Sequence, residues 1–213
     1  MSPVKKRTFL LSSRSWLLLA SFAFLLIVAA HFIHPVLAVT SRVDADVLIV
    51  EGWVADSILV GAMQEFHRGN YAYLFTSGLE LEKYKDQEPR DSYAAKAARQ
   101  LIKLGAPPAS VIPCPTPQVS WNRTSSSARA VRYALQQRGI VPKGINVLTA
   151  GPHGRETWVA YRRIFNHVAS IGIISIPNET YEASRWWESH EGRRWVFKNI
   201  AGWTKEVLIG SRS

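Results

Sequence analysis

The sequence predicts a transmembrane helix followed by an α/β domain, a three-layer sandwich around a mostly parallel sheet of five strands. Three observations predict it. Every residue from Trp16 to Ala30 is apolar or small. Beyond that segment, short apolar runs of strand length recur, and stretches with apolar residues at helical spacing separate them. The 213 residues, less an anchor, fit one compact domain.

The apolar segment predicts a membrane anchor. A helix from Trp16 to His34 would be about 28 Å long, close to the hydrocarbon core of a bilayer. Four basic residues precede it, and no acidic residue occurs before Asp44. Because basic residues stay on the cytoplasmic side, we expect a cytoplasmic tail at 1–15, a signal-anchor at 16–39 and an extracytoplasmic domain at 44–210. The predicted location is the plasma (inner) membrane, crossed once.

A cleaved signal peptide is the alternative for this segment. Pro35 would end the helix, and Val36, Leu37 and Ala38 would offer small residues to a signal peptidase that cuts after Ala38. The apolar region is at the long end of the ~7 to 15 residues typical of signal peptides, which favours the anchor. Both interpretations export the domain.

Charge and cysteine content limit the partners. The net charge is +10 over the whole chain, and the basic residues of the tail account for four of those charges. The exported part is therefore moderately basic, and we expect no nucleic acid as a partner. Basic residues are densest from Arg185 to Arg212, where they fit either a solvated helix face or contact with anionic lipid. Cys114 is the only cysteine, so no internal disulfide forms, and we expect it in a buried strand.

The first half of the domain alternates strands and helices. Residues 47–50 are all apolar, as expected of a strand buried on both faces. Apolar residues then recur at helical spacing over 58–66 until Gly69 ends the helix. A strand at 71–76, an alanine-rich helix at 91–104 and a short strand at 111–112 follow. Prolines at 113, 115 and 117 forbid a helix and predict an irregular loop as far as Asn122.

The second half repeats the alternation. A helix at 125–138 has inward apolar residues and ends at Gly139, and the next strand is 145–149. A helix at 155–165, a strand at 169–176 and a closing helix at 192–209 complete the domain. The closing helix has four apolar residues on one stripe, which we expect to pack against the sheet: Val196, Ile200, Trp203 and Val207. Strands that alternate with helices in this way predict a Rossmann-like fold.

Polar residues follow the predicted strands, where ligands bind in open parallel sheets. The candidate ligand-binding residues are Gly52, Ser77, Gly78, Asn122, Thr124, Thr149 and Arg155. Glu51 and His153 are the candidate catalytic residues. Glu51 directly follows four buried residues, a costly position for a carboxylate without a polar partner. Its alternative role is to cap the following helix.

His153 and Arg155 stand at the predicted start of a helix, where backbone N–H groups favour anions. The guanidinium of Arg155 suits phosphate or carboxylate, and the imidazole of His153 can transfer a proton near neutral pH. Thr124 fits a helix N-cap, and its hydroxyl could also line a pocket. The sequence contains none of the common cofactor-binding motifs, so the cofactor is unknown. It also assigns no metal site.

Several segments resemble the YdcF-like family: 46–53, Phe75 to Gly78, Asn122 to Thr124, and 147–155. His153 matches the family histidine, whereas Arg155 stands one position before the usual arginine. The resemblance implies a Rossmann-like sandwich, membrane anchorage and a role in cell-envelope biogenesis.

Three functions are compatible with these features. The first is to bind, and to hydrolyse or transfer, a phosphorylated, lipid-carrier-linked envelope precursor. The second is a non-catalytic envelope regulator or scaffold, whose protein partners the sequence does not identify. The third is to bind a nucleotide-derived cofactor, which the sheet architecture alone supports.

Overall fold

A computed structural model describes residues 12–82 and 91–208 of the chain. The chain divides into two units, residues 1–33 and 34–213. Helix α1 (Ser13–Leu37) is long and apolar enough to cross a membrane, with a mean hydropathy of 2.4 over its most apolar stretch. The predicted N-terminal apolar helix is thus present.

Pro35 was expected to end this helix. The helix instead continues to Leu37. Contacts inside the second unit fix this last turn. Leu37 is fully buried there, and the Nε2 atom of His34 lies 2.9 Å from the hydroxyl of Tyr181. Packing therefore overrides the local preference of proline to stop a helix.

The domain is built on a five-stranded sheet in the order β3-β2-β1-β4-β5, and every strand pair is parallel. The strands are β1 (Val47–Glu51), β2 (Tyr73–Leu79), β3 (Val111–Thr116), β4 (Gly144–Ala150) and β5 (Ser170–Ile176). β1, β2 and β4 are buried almost throughout, which explains their continuous apolar runs. The predicted α/β class and the five strands are confirmed.

Helices cover both faces of the sheet and make the three layers. One face packs α2 (Asp56–Arg68) and α3 (Tyr93–Lys103), and the other packs α4 (Arg123–Gln137) and α5 (Gly154–Ile164). Successive side chains of β1 alternate between the two cores, with Leu48 and Val50 in the first and Val47 and Ile49 in the second. By the same alternation, Glu51 points towards the α4 and α5 layer.

Strand β3 extends through two of the prolines that had predicted a loop. It runs to Thr116, and Pro113 and Pro115 are exposed between buried neighbours. The position of β3 at the edge of the sheet explains the difference, because an edge strand leaves alternate N–H groups unpaired and proline can occupy those positions. The irregular loop is correspondingly shorter.

The segment between α1 and β1 lies along the opposite edge of the sheet. Ser41 forms an antiparallel bridge with Ile173 of β5. The side-chain amide of Asn146 accepts from the backbone N–H of Val43 and donates to its carbonyl oxygen. Arg42 makes two hydrogen bonds with the buried carboxylate of Glu65, each 2.9 Å long. Residues 41–43 therefore belong to the folded domain.

Helix α6 (His190–Leu208) does not pack its predicted apolar stripe against the sheet. Its buried residues are Gly192, Val196, Asn199 and Glu206, and Val207 is 49 % exposed. The helix packs instead on α5 and on the 3₁₀ turns at 151–153 and 183–188. Of its polar buried residues, Asn199 faces the polar carboxyl end of the sheet, and Glu206 bonds Ser125 of α4 and Arg163 of α5.

Candidate active-site cleft

The cleft at the carboxyl end of the sheet has a volume of about 580 Å³, within the range of small-molecule sites. The chain runs from β1 to one side through β2 and β3, and returns to the other side through β4 and β5. β1 and β4 are therefore the strands at which the order reverses, the place where ligands bind in open α/β sheets. The start of α4 and one side of α6 complete the walls.

Glu51 lies at the base of this cleft and is only 2 % exposed. Its Oε2 atom accepts hydrogen bonds from the hydroxyls of Thr149 at 2.5 Å and Thr157 at 3.2 Å. Burial raises the pKa of Glu51, and Glu156 adds to the rise, while His153 and the two hydroxyl donors oppose it. The carboxyl group is therefore poised to hold a proton at a higher pH than an exposed glutamate does.

His153 reaches the cleft because the chain turns sharply after β4. Gly151 has a φ of 40°, a left-handed conformation that glycine adopts without strain, and it begins a 3₁₀ turn that ends at His153. The Nε2 atom of His153 lies 3.7 Å from Oε2 of Glu51. A proton donor or acceptor thus stands beside the buried carboxyl group.

Asn199 of α6 fixes the orientation of the imidazole. Its Nδ2 atom donates to the carbonyl oxygen of Trp195, so its Oδ1 atom faces Nδ1 of His153, at 2.8 Å. Since Oδ1 only accepts, Nδ1 carries a hydrogen in this arrangement. Nε2 is then the ring atom that can exchange a proton in the cleft.

A second carboxylate approaches the same imidazole. Oε2 of Glu156 lies 3.5 Å from Nδ1 of His153. Glu156 also packs on Gly202 of α6, where an added Cβ would come within 1.9 Å of that oxygen. The imidazole of His153 therefore lies between two carboxyl groups, with Glu51 near Nε2 and Glu156 near Nδ1.

Aromatic side chains form the wall beside His153. The indole of Trp53 meets the imidazole edge to face, with ring centres 5.1 Å apart, and stacks on Trp195 at 6.0 Å. The Nε1 atom of Trp195 donates to Glu191 on the same helix. These contacts restrict the imidazole of His153, whose side chain is 14 % exposed.

The positive charge of the cleft comes from residues that the sequence did not single out for this role. Arg123 at the start of α4 and Lys198 and Lys205 on α6 line it. Lys198 and Lys205 belong to the basic region for which a solvated face and lipid contact were the two expectations. They are seven positions apart, so they lie on the same side of α6, about two turns from each other. Their spacing on the helix was the available signal.

Arg155 does not lie in the cleft, so the expected partnership with His153 at one anion site is wrong in its geometry. Its Nε atom donates to the carbonyl oxygen of Val36 at 2.8 Å, and its guanidinium lies over the ring of Trp158. His153 ends the 3₁₀ turn and Arg155 lies in the first turn of α5, and this change of element explains their different directions. A helix rotates about 200° over two residues, so a side chain at 155 points away from one at 153.

The other predicted ligand-binding residues divide into two groups. Ser77, Gly78, Asn122 and Thr124 line the cleft, together with Glu51 and His153. Thr149 contacts the cleft only through Glu51, and Gly52 lies behind the wall, with its N–H bonded to the carbonyl oxygen of Ser77. An added Cβ at Gly52 would lie 2.4 Å from the carbonyl oxygen of Tyr93, so its role is close packing.

Thr124 is not the N-cap of α4. The helix begins two residues earlier than predicted, at Arg123, and the cap position belongs to Asn122, which has left-handed backbone angles and makes no side-chain capping bond. The hydroxyl of Thr124 is thereby placed on the cleft wall. Within residues 12–82 and 91–208, no three His, Cys, Asp or Glu side chains form a group suited to a metal ion.

No family model matches the chain, and no curated protein or solved structure matches it either.

Proposed function

We propose that the cleft binds a phosphate-containing ligand and catalyses hydrolysis or transfer at its phosphorus, with His153 as the proton carrier and Glu51 as its partner. The observation that carries this proposal is the pair formed by Nε2 of His153 and Oε2 of Glu51, 3.7 Å apart at the base of the cleft. Burial raises the pKa of Glu51, and perturbed carboxyls beside a histidine are typical of acid–base sites.

The proton transfers follow from this arrangement. As an attacking water or alcohol oxygen bonds to phosphorus, Nε2 of His153 takes its proton. As the bond from phosphorus to the leaving oxygen breaks, His153 returns a proton to that oxygen. Asn199 keeps Nε2 directed into the cleft throughout, and Glu51 stabilises the imidazolium when its carboxyl group is ionised.

The cations of the cleft support phosphate as the bound group. Three cationic side chains line the cleft that contains His153 and Glu51, and each is exposed or partly exposed to solvent: Arg123, Lys198 and Lys205. Charges placed in this way bind phosphate oxygens and stabilise the negative charge that develops during phosphoryl transfer.

The cellular setting is part of the proposal. The basic residues before α1 and the absence of acidic ones support a single-pass anchor with the domain outside the cytoplasm. The resemblance of the segments around Glu51, Ser77 and His153 to the YdcF-like family supports a role in cell-envelope biogenesis. A lipid-carrier-linked phosphate or pyrophosphate is the substrate that this setting favours.

The test is turnover of a prenyl pyrophosphate by the full chain in detergent, measured as release of inorganic phosphate. We expect His153→Ala and Glu51→Gln each to lower kcat by about 100-fold or more, the usual effect of removing an acid–base group. The matched controls are His67→Ala and Glu182→Gln, both at exposed positions. Wild-type turnover in both cleft variants would overturn the assignment of His153 and Glu51.

A further inference from the structure

Trp121 gives the cleft a second binding surface away from His153. It stands in the segment between β3 and α4, and 56 % of its surface is exposed, a large fraction for an indole. The Nζ atom of Lys205 lies 4.8 Å from the centre of its ring. One face of the indole thus meets a cation while the side chain as a whole lines the cleft.

Residues with hydroxyl and amide groups lie in the same part of the chain as this indole. Ser120 and Asn122 are its neighbours in sequence, and Thr124 and Ser127 follow in the first turns of α4; all four line the cleft. Such groups both donate and accept hydrogen bonds, which suits a ligand that itself carries several hydroxyls. The indole adds an apolar surface of the kind that packs on the C–H face of a sugar ring.

The two surfaces belong to one continuous wall. Trp195, Lys198, Gly202 and Lys205 all line the cleft, and their spacing of three or four residues puts them on one side of α6. From Asn199, which bonds His153, to Lys205, beside Trp121, the helix rises about 9 Å. The cleft is therefore long enough to bind a phosphate near His153 and a ring near Trp121 at the same time.

We infer that the cleft selects a phosphorylated sugar, with the sugar ring stacked on Trp121 and hydrogen-bonded by Ser120, Asn122 and Thr124. The phosphate end of this inference rests on the proposed function, whereas the sugar end rests on Trp121 and its hydroxyl-bearing neighbours. Lys205 bridges the two, because it contacts the indole and carries a charge that a phosphate can reach.

The experiment is a calorimetric titration of the full chain in a detergent that carries neither sugar nor phosphate. The probes are inorganic phosphate, glucose 1-phosphate, glucose and adenosine monophosphate. We expect glucose 1-phosphate to bind about five to ten times more tightly than inorganic phosphate, as one aromatic contact allows. In Trp121→Ala that ratio should fall to about one, and in Tyr133→Ala, an exposed aromatic on α4 outside the cleft, it should stay unchanged.

The outcomes separate the two proposals. Equal affinity of the wild type for inorganic phosphate and glucose 1-phosphate would overturn the sugar site and leave the phosphate site standing. Tighter binding of adenosine monophosphate than of glucose 1-phosphate would also overturn it, in favour of a nucleotide. Failure of every phosphorylated probe to bind would overturn the proposed function as well. A folded Trp121→Ala chain that keeps the full preference would refute the role of Trp121.

Discussion

The buried ion pair between Arg163 of α5 and Glu206 of α6 predicts a large effect on stability. Nη1 of Arg163 lies 2.6 Å from Oε1 of Glu206, whose side chain is 1 % exposed, and the hydroxyl of Ser125 donates to the same oxygen. Replacing Arg163 by Met leaves that carboxylate buried without its cation. Losing one partner of a buried pair costs about 3 to 5 kcal/mol. Because the side chain of Arg163 is 28 % exposed, we expect about 3 kcal/mol.

A matched control exists on the same helix. Arg194 pairs with Glu191 at 3.6 Å, but their side chains are 67 % and 35 % exposed. Arg194→Met should therefore cost about 0.5 kcal/mol or less, because water screens and replaces such a pair. The measurement is urea unfolding of the full chain, followed by tryptophan fluorescence, with the two variants compared at one pH.

A double variant tests the physical reason for the loss. Adding Glu206→Gln to Arg163→Met removes the unpaired buried charge, so the double variant should be more stable than Arg163→Met alone. The reasoning is wrong if Arg163→Met and Arg194→Met unfold at the same urea concentration. It is also wrong if the second substitution destabilises the chain as much as the first.

Three further predictions concern the cleft and the cores. Because burial raises the pKa of Glu51, its ionisation opposes folding as pH rises; Glu51→Gln should unfold at a higher temperature than the wild type at pH 8, with no gain below about pH 4. Gly52→Ala puts a Cβ 2.4 Å from a backbone oxygen of Tyr93 and should lower the free energy of unfolding in urea by about 2 kcal/mol or more. Gly61→Ala meets only the end of the Ile176 side chain and should lower it by less. Burial raises the pKa of Cys114 to about 12, so a thiol-specific reagent at pH 8 should label it only in urea; rapid labelling of the folded chain would contradict this.

Much of the fold could be predicted because burial on both faces leaves a strong trace in a sequence. The apolar run 47–50 and the helical spacing of 58–66 were sufficient to identify β1 and α2. β3 was underestimated because proline is normally read as a strand breaker, and its tolerance depends on whether a strand lies at the edge of the sheet. That position is set by tertiary pairing and leaves no local signal.

The candidate site could be predicted where its residues lie at the end of a strand or follow it. Glu51 stood out as the polar end of the apolar run of β1, and His153 because it closely follows β4; their catalytic roles stay predictions. Lys198 and Lys205 were not assigned to the cleft because α6 returns to it from the far end of the chain. Arg155 was misplaced because a 3₁₀ turn and a helix orient side chains two residues apart in opposite directions.

The prolines of β3 have a consequence for chains held at high local concentration. An exposed edge strand offers its backbone to the edge strand of another molecule, which is a common start of aggregation. The N-terminal helix is apolar enough to cross a membrane, and chains anchored in that way would meet one another often. Pro113 and Pro115 remove two of the donors that such pairing would use. The two prolines that made β3 difficult to predict from the sequence therefore disfavour pairing between the edge strands of two chains.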